Sequence, residues 1–149
     1  MKKRTRKQKF TDYADAIKCM KEGKPVKRSH AKDGSIPTYS IVPVPNLLES
    51  QVLVLCKDWL KKHHIFHDRN NTGILPDASG FHRYGIAGGG DIIGILPNGI
   101  HIELEVKRGK GGRLSEGQQK RMRDVRNNNG LYFVVHGQAE LEYYMKDLI

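Results

Sequence analysis

The chain has 149 residues, 38% of them hydrophobic, which suits one ordinary domain with an added arm and falls short of two comfortable cores. Twenty-six Lys and Arg against sixteen Asp and Glu give a formal net charge of +10, which points to a polyanionic partner, nucleic acid first. Cys19 and Cys56 alone, with no charged-then-apolar leader, argue for a reducing cytoplasm over secretion, and no apolar run reaches the roughly 20 residues that span a bilayer.

Residues 1–10 are expected to be a disordered basic arm, since like charges repel and little there can be buried. Thr11 is placed to cap a short helix over residues 12–22, with Tyr13, Ala16, Ile17 and Met20 at helical spacing and Gly23 as its stop. Residues 24–45 are broken by Pro25, Gly34, Pro37, Pro43 and Pro45, and no chemistry can be assigned there. The expected division is therefore a basic extension over 1–45 and a domain over 46–149.

Asn46 opens a predicted core helix running to about His63, with Leu48, Val52, Leu55 and Trp59 on one stripe and Cys56 and Leu60 widening it. A short strand is expected over residues 65–68. Residues 70–90, with six glycines and Pro76, read as a long irregular loop, and such loops are more often functional than idle.

The densest chemistry follows. Asp91 precedes the apolar run Ile92-Ile93-Gly94-Ile95-Leu96, and Glu105 and Lys107 end the run from Ile100. Strand residues two apart share a face, so Glu105 and Lys107 point to one side. A two-residue turn at Asn98-Gly99 would send Asp91 and Glu105 to opposite faces. A three-residue loop of Pro97, Asn98 and Gly99, with residue 96 opposite 100, sets Asp91 across from Glu105. Pro97 supplies the fixed φ and Gly99 the left-handed closing residue, so the three-residue loop is expected. Two facing carboxylates beside a lysine are a pattern for holding one divalent cation and an attacking water.

Beyond the hairpin, a helix is expected over residues 115–129, ended by Gly130, then a buried strand over 131–135 and a helix over 139–148 packing through Leu141, Tyr144, Met145 and Leu148. The order predicts an α/β core with a mixed sheet. Residues 107–126 hold eight basic and two acidic side chains. Arg108, Lys110, Arg113, Lys120 and Arg121 are the expected phosphate contacts, with Gly109, Gly111 and Gly112 letting the loop approach a phosphate backbone.

Gly90-Asp91-Ile92-Ile93-Gly94, Glu103-Leu104-Glu105-Val106-Lys107 and Arg113-Leu114-Ser115-Glu116-Gly117-Gln118, in that order and with Arg69-Asn70-Asn71 upstream, resemble the motifs of the VRR-NUC branch of the PD-(D/E)XK nucleases. The likeness runs from about Asn46 to Glu142. It implies a restriction-endonuclease-like core and a DNA phosphodiesterase dependent on Mg2+ or Mn2+. Asp91 and Glu105 would be metal ligands together with the backbone carbonyl of Val106. Lys107 would stand beside the nucleophilic water, Gln118 would complete the site, and Glu49 would sit near the metal. The resemblance further implies a homodimer acting on branched DNA such as four-way junctions, in a compact member of the phage or mobile-element kind. Two departures stand out: glycine precedes Asp91 where the superfamily name has proline, and residues 1–45 have no counterpart.

Each of these residues also has a plainer reading. Asp91 can simply accept backbone amides in a glycine-rich turn, and Glu103, on the same face as Glu105, is a rival ligand. Gln118 and Glu49 each fall at the fourth position of a capping box, begun by Ser115 and Asn46 respectively. His63, His64 and His67 read as a polar helix end, His82 and His101 as substrate contacts at most, and both cysteines as core packing. The competing function is a nucleic-acid-binding regulator or inhibitor that keeps the fold without useful catalysis.

Overall fold

A computed structural model describes residue 14, residues 16–23 and residues 33–149 of the chain. The basic arm, the Thr11 cap and residues 24–32 lie outside the described residues. Residues 16–21 are helical and end at Gly23, which has a φ of 64° and donates to the carbonyl of Met20; Ile17 and Met20 are exposed there.

The centre is a four-stranded mixed sheet in the order β2 (Phe66–Arg69), β5 (Ile92–Ile95), β6 (His101–Val106), β8 (Leu131–Val135). The first two pairings are antiparallel and β6–β8 is parallel. A parallel return needs a crossover, and the chain supplies it with β7 (Gly112–Leu114) and α2 (Glu116–Asn127). α1 (Glu49–Lys62) and α3 (Gln138–Met145) complete the expected mixed α/β arrangement, a sheet flanked by helices.

The period of β6 explains how the sheet is covered. Ile102, Leu104 and Val106 face one side and build the core with Val52, Cys56, Trp59 and Leu60 of α1 and Leu141 and Met145 of α3. His101, Glu103 and Glu105 face the other side, with α2 reaching over them. Burial of a large aliphatic side chain contributes about 1.5–3 kcal/mol, so Leu60→Ala, at a fully buried position, should cost about 2–5 kcal/mol.

Four expectations shift. α1 begins at Glu49 with Leu48 as its cap residue, not at Asn46: the carbonyl of Leu47 accepts the Gly109 N–H at 2.9 Å, holding 45–47 outside the helix, and Gln51 takes the Leu48 N–H. Residues 70–90 are not irregular throughout. They contain a β-hairpin, β3 (Gly73–Asp77) and β4 (Gly80–Tyr84), whose turn is tied by Asp77 accepting the N–H and hydroxyl of Ser79. α2 stops at Asn127, and Asn129 rather than Gly130 takes the left-handed conformation. The division at residue 45 also moves. β1 (Ile36–Thr38) pairs antiparallel with β7, Thr38 bonds to buried His136, and Glu140 accepts the Ile41 N–H, so residues 35–41 belong to the same body.

No helix among the described residues is long and apolar enough to cross a membrane.

Candidate active site

β5 and β6 meet in the register expected of a three-residue loop, with Ile92 opposite Leu104 and Ile95 opposite His101. Leu96 donates to Ile100 across the loop, and Gly99 closes it at a φ of 86°. One step beyond Ile92 and Leu104, Asp91 falls across from Glu105.

Glu105 is the hub. It is 3% exposed, and its Oε1 accepts from Lys107 Nζ at 2.6 Å and from Gln118 Nε2 at 2.5 Å. Its Oε2 lies 3.4 Å from the Tyr132 hydroxyl. Burial and the charge of Asp91 push the Glu105 carboxyl up to about 7, against the pull of Lys107 and with a further upward push from Glu49. A carboxylate so destabilised next to a second one is a place where added positive charge is favourable.

Gln118 resolves its two readings by serving both. Its Oε1 accepts the Ser115 N–H while the Ser115 hydroxyl accepts the Gln118 N–H, completing a capping box, and its Nε2 reaches Glu105. The helix start thus fixes the amide that grips the carboxylate. Asp91 bonds across the hairpin and not to its own glycine-rich turn: its Oδ2 accepts the Val106 N–H at 2.8 Å. Its Oδ1 accepts no hydrogen bond among the described residues. Because a strand residue's N–H and C=O point to the same edge, the carbonyl of Val106 faces the Asp91 side too.

Asp91, Val106 and Glu49 line one cavity of about 190 Å³ together with Ser50, Leu53 and Arg69. Glu49, released from the supposed Asn46 capping box, stands in the first turn of α1 at this cavity. Glu103, the rival ligand, is fully buried and committed: it accepts from the Gly90 N–H, His101 and the Arg121 guanidinium. Burial pushes its carboxyl up, but these partners outweigh it and hold the group below the usual carboxylate range. Gly90 is required for this contact, since a Cβ there would meet the Leu104 backbone at 2.9 Å.

The basic residues divide. Arg121 is bound to Glu103 and Arg113 to the hydroxyl and carbonyl of Ser35, so both are structural rather than free phosphate contacts. Lys120 forms an exposed pair with Asp124, which water and salt weaken enough to leave it open to phosphate. Arg108 and Lys110 are exposed and have no ion-pair partner among the described residues. Gly109, Gly111 and Gly112 admit the chain's own backbone instead of phosphate: a Cβ on Gly109 would meet the Pro45 carbonyl, and Gly112 pairs with Thr38. His63 stacks on Trp59 and His82 pairs with Asp77, away from the carboxylates, while Cys56 is core and Cys19 only half-buried.

Two residues at the site carry no role in the sequence reading. Tyr132 is the hydroxyl-bearing position of an otherwise apolar strand, placed opposite Glu103 and reaching Glu105. Arg69 ends β2 opposite Ile92, beside Asp91, and carries no ion pair among the described residues although two carboxylates line its cavity. In the sequence Arg69 figures only within Arg69-Asn70-Asn71, with no role attached.

Asp91 and Glu49 bring carboxylate oxygens to one cavity with Val106, donors of the hard kind that suit Mg2+ or Mn2+, and Asp91 Oδ1 is unbonded among the described residues. Among the described residues, no three His, Cys, Asp or Glu side chains converge as a complete metal cage. Mg2+ sites commonly take one or two carboxylates with waters and substrate phosphate, so the donor set fits such a cation. No family model, curated protein or solved structure matches the chain.

Proposed function

We propose that the protein is a divalent-metal-dependent endonuclease of the VRR-NUC kind that hydrolyses DNA phosphodiester bonds. The observation that carries this reading is the convergence of Lys107 Nζ and Gln118 Nε2 on one oxygen of buried Glu105, with Asp91 across the hairpin. A divalent cation, when bound, would supply Lewis acidity toward a phosphate oxygen and a water. Asp91, Glu105 and the Val106 carbonyl would hold it, with Glu49 at the cavity's edge. Lys107, paired to Glu105, would stand beside the attacking water, to orient it or to take its proton. Gln118 would keep Glu105 in one rotamer, and Arg69 would hold a non-bridging phosphate oxygen at the cavity.

The chain offers no base-reading motif, so the shape of the DNA would select the substrate, with branched DNA favoured and two copies suited to paired cuts on a symmetric branch. Two observations favour the rival reading of a binding protein without cleavage: both oxygens of Glu105 have protein partners, and no group of three His, Cys, Asp or Glu able to hold a metal ion is present among the described residues. The two readings separate on linear and four-way-junction DNA incubated with Mg2+, with Mn2+ and with EDTA. The nuclease reading expects nicking in the metal arms and none in EDTA; binding with no nicking in any arm would favour the regulator.

A further inference from the structure

The β3–β4 hairpin is unlike the rest of the fold. Every residue of both strands except half-buried Gly73 is exposed, and among the described residues no other strand pairs with the ribbon. Its side chains are nonetheless apolar on both faces. Ile74 and Phe81 fall on one side with Pro76 and Arg83, and Leu75 and Tyr84 on the other with His82. A two-stranded ribbon gains little by itself in water. A surface meant to dock on a flat protein partner would carry its apolar side chains on one face. Apolar groups on both faces suit an element that is inserted into something.

Its setting says into what. The ribbon leaves the body at a clamp: Asn70 bonds the backbone of Ile86 in both directions and the carbonyl of Gly90, and its own N–H donates to the carbonyl of Asp91. The base is therefore fixed one residue from a candidate ligand, while the tip stands clear. Five strand residues reach about 17 Å, some five base-pair steps. Arg83 on the ribbon and Arg69 at its root add positive charge to an exposed aromatic, the combination that takes up phosphate and a base face together. Phe81, 79% exposed next to Pro76 at the turn, is the kind of wedge that enters a base step.

We propose that this hairpin is a wedge which inserts beside the cleaved phosphate and unstacks bases at a DNA branch, with Phe81 as the inserted side chain. The proposal rests on the nuclease reading and adds how a branch is recognised. A duplex resists unstacking, whereas a branch point already exposes base faces, so the wedge would favour branched over linear DNA.

The test uses the full chain and a four-way junction carrying 2-aminopurine at the branch, in EDTA so that nothing is cut. Wild type is expected to raise the fluorescence on binding. Phe81→Ala should abolish the rise and weaken junction binding roughly tenfold, with linear-duplex binding nearly unchanged. Phe81 lies outside the core, so the same thermal midpoint and circular dichroism should accompany the loss. Binding without a fluorescence rise, or an unchanged rise in Phe81→Ala, would overturn the wedge and leave the nuclease reading intact. Light scattering supplies the remaining contrary outcome: a dimer that Phe81→Ala breaks would assign the hairpin to a second copy. Failure of wild type to bind any DNA would instead defeat the nuclease reading itself.

Discussion

Replacing Arg121 with alanine separates two roles that look alike in sequence. A phosphate contact at the surface would cost DNA affinity and little stability. In the structure the guanidinium donates to Glu103 Oε1 at 2.5 Å from NH2 and at 3.1 Å from Nε, and the Glu103 side chain is 0% exposed. Arg121→Ala therefore strands a buried carboxylate whose remaining partners among the described residues are the Gly90 N–H and His101. Breaking a buried pair this way costs about 3–5 kcal/mol. The Arg121 side chain is 29% exposed, so water can partly take its place, and the lower end, about 3 kcal/mol, applies. For a chain of this size each kcal/mol moves Tm by roughly 2–4 °C, so thermal unfolding followed by circular dichroism should show a fall of roughly 6–12 °C. Adding Glu103→Gln to Arg121→Ala removes the stranded charge and should recover part of that loss. An unchanged Tm together with a DNA-binding salt dependence shallower by about one phosphate contact would refute the structural role.

Ser115→Ala and Gln118→Ala divide the two functions of the α2 start: each should cost about 1 kcal/mol in urea unfolding, but only Gln118→Ala should slow DNA cleavage, by tenfold or more, since it alone frees Glu105. Equal cleavage by the two variants would remove Gln118 from the site. Arg69→Ala should lower kcat/KM for cleavage by roughly 100-fold with Tm within a few degrees, and Arg69→Lys should restore only part of it. Glu140→Gln tests the clamp on residues 35–41. Burial raises the Glu140 carboxyl, but the His136 ring, the Ile41 and His136 amides and the His136 charge outweigh it and hold the group below its ordinary 4.5. A depressed folded value means stability present above pH 4.5 and lost as the pH falls through the folded value. The variant should thus be less stable than wild type at pH 7 by about 1.5–3 kcal/mol, with the gap closing in acid; a gap that is flat with pH would contradict the ionised Glu140.

Local pattern made the central hairpin legible, because period-2 polarity and the Pro97-Asn98-Gly99 loop both constrain which side chains face each other. The same holds in part for α1, where Val52 and Trp59 of the expected stripe are buried with Cys56 and Leu60, whereas Leu48 is exposed as the cap residue and Leu55 is half-buried. What stayed hidden depends on distant partners. Nothing near residue 121 says that its guanidinium meets Glu103, nor near Thr38 that it bonds His136, since both contacts join segments brought together only by the crossover. The β3–β4 hairpin was masked by Pro76 and glycine, which read as loop, although the Asp77 to Gly80 turn between apolar pairs was a usable sign. For Gln118 the Ser115 capping box and the Glu105 contact coexist, because a side-chain amide has both an acceptor and a donor to give.

The most direct measurement is single-turnover nicking of a four-way junction in Mg2+ by wild type and by Glu105→Ala, after both are shown to bind that junction equally in EDTA. Glu105 is the oxygen on which Lys107 and Gln118 converge, so nicking should fall by at least 100-fold while binding persists. Equal nicking by the two proteins would contradict the assignment of this hairpin as the catalytic centre.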